Sequence, residues 1–247
     1  MSRSQEFNVG SSPVPEIQAG ARRYQQMNGM MVPESNYGAV VMPHAQSRAM
    51  GTEYMRMPDF DKRAVPAYHQ MAEEVGRQFD HLTNPVSKGG MGLNVEVTRH
   101  DPYGQGGNYD QIFPEFKNDV VNNNRMQVLH SAETGGHPLF TDDQNNMFRA
   151  VHDYFGHLGS GRGIDMHGED AAYQKHAAMF SPLARQALAT ETRGQNGALQ
   201  LTGEFQNQKI GLLSPQYTGT GSLPAFGEGA ARARAEAVQR NRSQGII

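Results

Sequence analysis

Apolar residues recur at spacings of three and four from Val65 through Tyr68, Ala72, Val75 and Phe79 to Leu82, while Glu73, Glu74, Arg77 and Asp80 fall mostly on the other side. The pattern predicts an amphipathic helix with Asp61 as a cap before it. Asn84-Pro85 and Gly89-Gly90 break the chain, after which Leu93, Val95 and Val97 alternate with polar residues as a half-buried strand does. Ile112, Phe113, Phe116 and Val120 predict a short helix with Pro114 in its first turn, where proline is best tolerated, and Met126 and Val128 mark a second short strand. Strand, helix, strand in that order permits a small parallel pair.

The stretch from Thr141 to Asn196 holds three further helix-like segments, each placing an ionisable residue among apolar neighbours. Thr141 and Gln144 have capping-box spacing, and Asp142 and Asp143 suit the positive end of the helix dipole. Phe148, Val151 and Phe155 form the apolar face that follows, and His152 lies on it. Gly156 is the expected terminator, leaving His157 free to turn back toward His152. On an uninterrupted α-helix the two imidazoles would point about 140° apart, at roughly 100° per residue, so a shared ligand needs that break. In the second segment Glu169, Ala172, His176 and Met179 share a face. Glu169 and His176 are about 10.5 Å apart along the axis, so one is expected to support the other rather than both ligating one ion. Ser181-Pro182 then predicts an N-cap and first helical position. Leu183, Ala184, Ala187 and Leu188 form the third stripe, continued by Glu191 and ended by Gly194.

Composition changes the picture at the ends. Only 37% of the 247 residues are hydrophobic, with 28 Gly, 13 Pro and a mean hydropathy of -0.66, which predicts loop-rich flanks around a smaller folded centre. Residues 1–57 read as an extended arm whose Met pairs, Tyr24, Tyr37 and 39–42 run supply contacts to another subunit. Residues 58–213 read as a mainly helical core domain, and 214–247 as a Gly-rich linker with a basic tail. The fold class expected is α+β, mainly helical, with a short two-stranded element and long irregular N- and C-terminal arms. The chain has no Cys, which excludes disulfides and thiolate metal sites. No apolar run is long enough to span a bilayer, and no apolar stretch follows the first arginine, so neither membrane insertion nor secretion is expected. A net charge of -3 gives no global attraction to nucleic acid. Arg232, Arg234, Arg240 and Arg242 form a local cluster suited to weak DNA contact, or to a solvated terminal helix.

The chemistry legible here is a His/carboxylate constellation. His152, His157, Glu169 and His176 are candidate ligands for a divalent metal, with zinc, manganese or iron suited to neutral imidazoles. Glu191, Asp153 and Arg193 are candidate catalytic residues. The helical zinc-peptidase motif has two His four apart; here the second comes five later, so the match to that motif is poor. Two other readings stand beside the metal site. One is a metal-free acid/base site; the other is a polar network in which His152 bonds Glu191 or a backbone carbonyl and Glu191 pairs with Arg193.

The runs GHPLFTDDQNNMFRAVHDYFGH, GEDAAYQKHAAMFSPLARQALATETRGQN and FQNQKIGLL resemble an uncharacterised domain of tailed-phage and prophage proteins, which occurs as small phage proteins and inside large multidomain phage polypeptides. The resemblance spans roughly residues 57–213, including MPDFD and the helix after it. It departs at Gly197-Ala198-Leu199, where the family continues with an aromatic-containing segment. It implies a phage origin and carries no reaction. Two functions follow as expectations. The first is a virion-associated structural protein, a minor capsid, neck or packaged component made in the host cytoplasm and contacting other virion proteins or copies of itself through the arm. The second is a phage-encoded metal-dependent hydrolase.

Overall fold

The computed structural model describes residues 12–33, 37–104 and 109–219. It is mainly helical with one short parallel two-stranded sheet, as expected. Helices α1 (Pro15–Met27), α2 (His44–Arg56) and α3 (Val65–Thr83) precede strand β1 (Asn94–Thr98), helix α4 (Tyr109–Asn123) and strand β2 (Arg125–Leu129). The strands pair in register from Asn94 with Arg125 to Thr98 with Leu129. Phe113, Phe116 and Val120 of α4 are buried, as are Met126 and Val128 of β2, so the crossover helix shares the sheet's core.

The second half begins with α5 (Asp142–Val151), where Thr141 and Gln144 form the full capping box. It continues with α6 (Met166–Ala177), α7 (Pro182–Ala189) and α8 (Gln195–Thr202). Asp165 caps α6 and Ser181 caps α7. The core gathers around α3, whose Tyr68, Met71, Val75 and Leu82 are buried with Val151, Phe155, Ala184 and Leu188 of the neighbouring segments. The segment after α8 returns to the stretch just before α3 through a parallel bridge between Phe60 and Ile210 and a hydrogen bond from Asp61 N to Ile210 O at 2.7 Å.

Three expectations are corrected. The first concerns residues 1–57, read as an irregular arm, which contain two helices packed on their own chain. Ile17, Ala21 and Tyr24 of α1 and Met50 and Tyr54 of α2 are buried. Helix α2 lies backbone to backbone on α8, because a Cβ on Gly51 would sit 2.2 Å from Gly197 O. Gly197 thus permits the contact. Residues 1–11 and 34–36, and the arginines 232, 234, 240 and 242, lie outside the described residues.

The second and third corrections concern Gly156 and Gly194, which do not end their helices. Neither adopts the positive φ of a glycine C-cap. The chain instead widens into π-helix over His152–Leu158, directly after α5, and again over Thr190–Gly194, between α7 and α8. Such i→i+5 turns are rare and recur at functional sites.

Candidate metal centre

The first π-helical segment does what a helix break was expected to do. Hydrogen bonding from i to i+5 brings residues five apart onto one face, and the His152 and His157 rings meet edge to face with centroids 5.3 Å apart. Helix α6 packs closely against this segment at Gly156, where an added Cβ would lie 3.0 Å from Ala172 O. That approach brings Glu169 to the two histidines. One ligand atom from each of His152, His157 and Glu169 lies within 4.8 Å of the others, and His157 Nε2 is 3.6 Å from Glu169 Oε1. Ligands bound at about 2.1 Å around a tetrahedral ion stand about 3.4 Å apart, so the trio closes on a cation with small side-chain movement.

Each group is anchored from behind. His157 Nδ1 is 3.0 Å from the carbonyl of Arg162. The Arg162 guanidinium is itself gripped by the carbonyls of Tyr37, Gly38 and Val40 through Nη1. The N-terminal segment therefore supports the loop that holds His157. His152 Nδ1 lies 3.2 Å from His176 Nδ1, and His176 Nε2 lies 2.6 Å from Gln78 Oε1 on α3. His152 Nε2 is buried without a hydrogen-bond partner. His176 thus stands behind His152, as support and not as one of the three converging groups, in keeping with its two-turn separation from Glu169.

Burial sets the charge of the site. It drives His152 well below the usual imidazole range, with His157 and His176 adding repulsion, and it lowers His176 to about 3. Both are therefore neutral at pH 7, the state a metal requires. Burial raises Glu169 to about 8, with Asp165 adding to the rise, and raises Asp153 to about 6. The Glu169 side chain keeps 23% of its surface exposed. It borders a cleft lined also by Met42, Ser47, Met166 and Thr192, with a volume of about 10 Å³, room for about one water.

Glu191 does not join this cluster. It lies in the second π-helical segment, where Oε1 accepts from Tyr68 Oη at 2.8 Å and Oε2 from Gln195 Nε2 at 3.2 Å. His137 Nε2 stands 3.4 Å from Oε1 without hydrogen-bond alignment, while its Nδ1 accepts from the amides of Leu139 and Phe140. None of these partners is shared with His152, His157 or Glu169. The expected convergence of Glu191 with the other two helices is therefore corrected: the Glu191 carboxylate is held by Tyr68 and Gln195 beside His137, while Thr192 and Arg193 of the same segment line the cleft beside Glu169. The expected Glu191–Arg193 pair is also absent among the described contacts. Arg193 instead makes a buried ion pair with Asp170 at 2.8 Å, lies 3.8 Å over the Tyr173 ring and donates to Tyr217 O.

His137 and Gln78 carry contacts that the sequence reading missed. Gln78 had a signal, since it lies seven residues after Met71 and four before Leu82 on the apolar face of α3. His137 sits in a turn without periodicity and had none. No helix among the described residues is long and apolar enough to cross a membrane. Comparison with protein-family models, curated proteins and solved structures finds no match to this chain.

Proposed function

We propose that this protein is a divalent-metal-binding structural component of a tailed-phage particle, with the metal held by His152, His157 and Glu169. The observation that carries the metal reading is the convergence of one ligand atom from each of the three residues within 4.8 Å, together with a His152 Nε2 that is buried and unpartnered. Two imidazoles and a carboxylate suit zinc, iron or manganese, and a cation there ties the first π-helical segment to α6. The phage reading is supported by the resemblance over residues 57–213, and it carries with it a minor capsid, neck or packaged role in the virion and synthesis in the host cytoplasm. Met27, the last residue of α1, and Met31 are exposed and offer apolar contact to a neighbouring subunit or another virion protein.

One observation favours a second reading, a phage-encoded metal-dependent hydrolase. Three protein ligands leave a coordination position for water, and the cleft beside Glu169 admits about one water molecule. Asp153, next to the ligands, is the candidate base; Glu191 is engaged with Tyr68, and Arg193, which lines the cleft beside Glu169, is held by Asp170. A cleft of that volume takes little more than the water itself, and for that reason we put the structural role first.

Protein purified without chelator is expected to carry one equivalent of zinc, iron or manganese by elemental analysis. At metal concentrations near 100 Kd, binding stabilises the fold by about 2.7 kcal/mol, and chelation should lower Tm by about 5–11 °C. His152→Ala should remove both metal and shift. Absence of stoichiometric metal together with no shift on adding zinc or manganese would refute the metal reading. Failure to find the chain by mass spectrometry in purified particles of a phage that expresses it would refute the virion role.

A further inference from the structure

The metal reading leaves open how a neutral imidazole buried in an apolar core is made to face the ion with a lone pair and not with a proton. We infer that Gln78 and His176 form a tautomer relay that fixes His152 with its proton on Nδ1 and so presents Nε2 to a cation. The inference rests on the metal site proposed above and adds two positioning residues to it, on two different helices.

The chain of donors starts at a backbone carbonyl, which only accepts. Gln78 Nε2 donates to Met179 O at 3.1 Å, so the other end of the amide, Oε1, must be the atom facing His176. An amide oxygen also only accepts, so His176 Nε2, 2.6 Å away, carries the ring proton. A neutral imidazole has one N–H, which leaves His176 Nδ1 as an acceptor. His152 Nδ1, 3.2 Å from it, must then donate, and the lone pair of His152 falls on Nε2. That is the nitrogen found buried without a partner. His157 reaches the same state separately, donating from Nδ1 to Arg162 O at 3.0 Å and keeping its Nε2 lone pair toward Glu169.

Two independent anchors thus leave the His157 lone pair toward the Glu169 carboxyl group and the His152 lone pair on the ring nitrogen that has no other partner. Each is of the kind that orients metal-bound histidines, a carbonyl or a further side chain behind the ring. Gln78 and His176 are both essentially inaccessible to solvent, so water cannot substitute for either.

Two measurements test the relay. In metal-free wild-type protein near pH 7, long-range 1H–15N correlation spectra should show His152 and His157 as Nδ1–H tautomers and His176 as the Nε2–H tautomer. His152 protonated on Nε2 would overturn the relay. Metal affinity is then read by competition with a chromogenic zinc chelator in Gln78→Leu and Gln78→Glu. Leucine removes the acceptor and frees His176 to reverse its tautomer, so zinc affinity should fall by about 10- to 100-fold. Glutamate keeps an acceptor at the same place, so affinity should stay near wild type even though both variants lower Tm in the absence of metal. Equal affinity losses in the two variants would overturn the relay in favour of a packing role for Gln78. Wild-type protein with the expected tautomers that takes up neither zinc nor manganese would overturn the metal reading while leaving the lone-pair geometry standing.

Discussion

Arg193 and Asp170 form an ion pair whose side chains are each 1% exposed, and its energetics separate a structural arginine from a catalytic one. Asp170→Leu removes the carboxylate that takes Arg193 Nε at 2.8 Å and Gln174 Nε2 at 2.7 Å. The guanidinium keeps its bond to Tyr217 O and its place over Tyr173, but its charge is no longer neutralised. Breaking one side of a buried pair costs about 3–5 kcal/mol. In a chain of this size that corresponds to a fall in Tm of about 6–20 °C, at about 2–4 °C per kcal/mol. Arg193→Met should fall at the lower end of the same range, because Gln174 still donates to the remaining carboxylate and the methionine stem still covers Tyr173. With both charges removed, neither desolvation penalty remains, so the double variant should lie within about 2 kcal/mol of wild type. Urea denaturation of the four proteins in the presence of chelator gives the cycle without interference from bound metal. Costs that add within about 0.5 kcal/mol would refute the pairing argument. A double variant that folds but has lost zinc binding would return Arg193 to the site.

Gly156→Ala places a methyl group 3.0 Å from Ala172 O and 3.2 Å from Ala172 Cβ, so α6 must retreat by a few tenths of an ångström with Glu169 on it. Overpacking of about 1–3 kcal/mol is partly offset by the better helix propensity of alanine, about 1 kcal/mol. Zinc affinity should therefore drop more clearly than metal-free stability, and an unchanged affinity in chelator competition would refute the close-packing argument. Lys175 is buried, with Nζ 5.6 Å from the centre of the Tyr37 ring, and burial lowers its pKa to about 8 from 10.5. Between those values the unfolded chain holds more protons than the folded one, so this residue makes stability rise with pH from about 8 to 10.5. Below pH 8 the cost of burying its charge is fully present, so Lys175→Met should stabilise by about 1–3 kcal/mol at pH 7, with the gain fading above pH 10. Denaturation of both proteins across that range checks the sign, and a gain that grows with pH would refute it.

Elements set by local chemistry were legible in the sequence. The Thr141–Gln144 box, the Ser181-Pro182 start, the stripe of α3 and the two strands all formed at their expected positions, because each signal lies within one or two turns, although burial does not alternate along β1, where Val97 is exposed. Helices α1 and α2 were not legible, since much of what positions them is distant. Val14 N bonds Leu158 O, Arg162 grips residues 37–40, and the Gly51–Gly197 contact seats α2. A polar, methionine-rich stretch can order on such contacts without a strong apolar period of its own. The pairing of His152 with His157 was anticipated, yet by the wrong device. A reading at 3.6 residues per turn places residues five apart on different faces, and only a change of helical period, which side-chain patterning does not encode, joins them without a break. Glu191 was misplaced for the same reason, as the period changes again at Thr190.

The two π-helical segments meet the same physical problem with different outcomes. Each widens a helix inside the core, and each brings ionisable side chains into a region where an unpaired polar atom costs about 1–3 kcal/mol. Around Glu191 the chain supplies its own answer, because both carboxylate oxygens have donors in Tyr68 and Gln195. Around His152 the answer is incomplete: the ring is anchored through Nδ1 by His176, its Nε2 has no partner, and a second imidazole and a carboxyl group each place a ligand atom within 4.8 Å of one of its own. A cation there would satisfy all three groups, while a simple increase in apolar packing would have satisfied none. The Glu191 carboxylate needs no ligand to satisfy its oxygens, although His137 Nε2 beside it makes no hydrogen bond, and among the described residues no second imidazole joins it in a group of three ligand atoms. His152, His157 and Glu169 are grouped as three groups that could hold an ion, which is why the metal reading is attached to the first π-helical segment and not to the second.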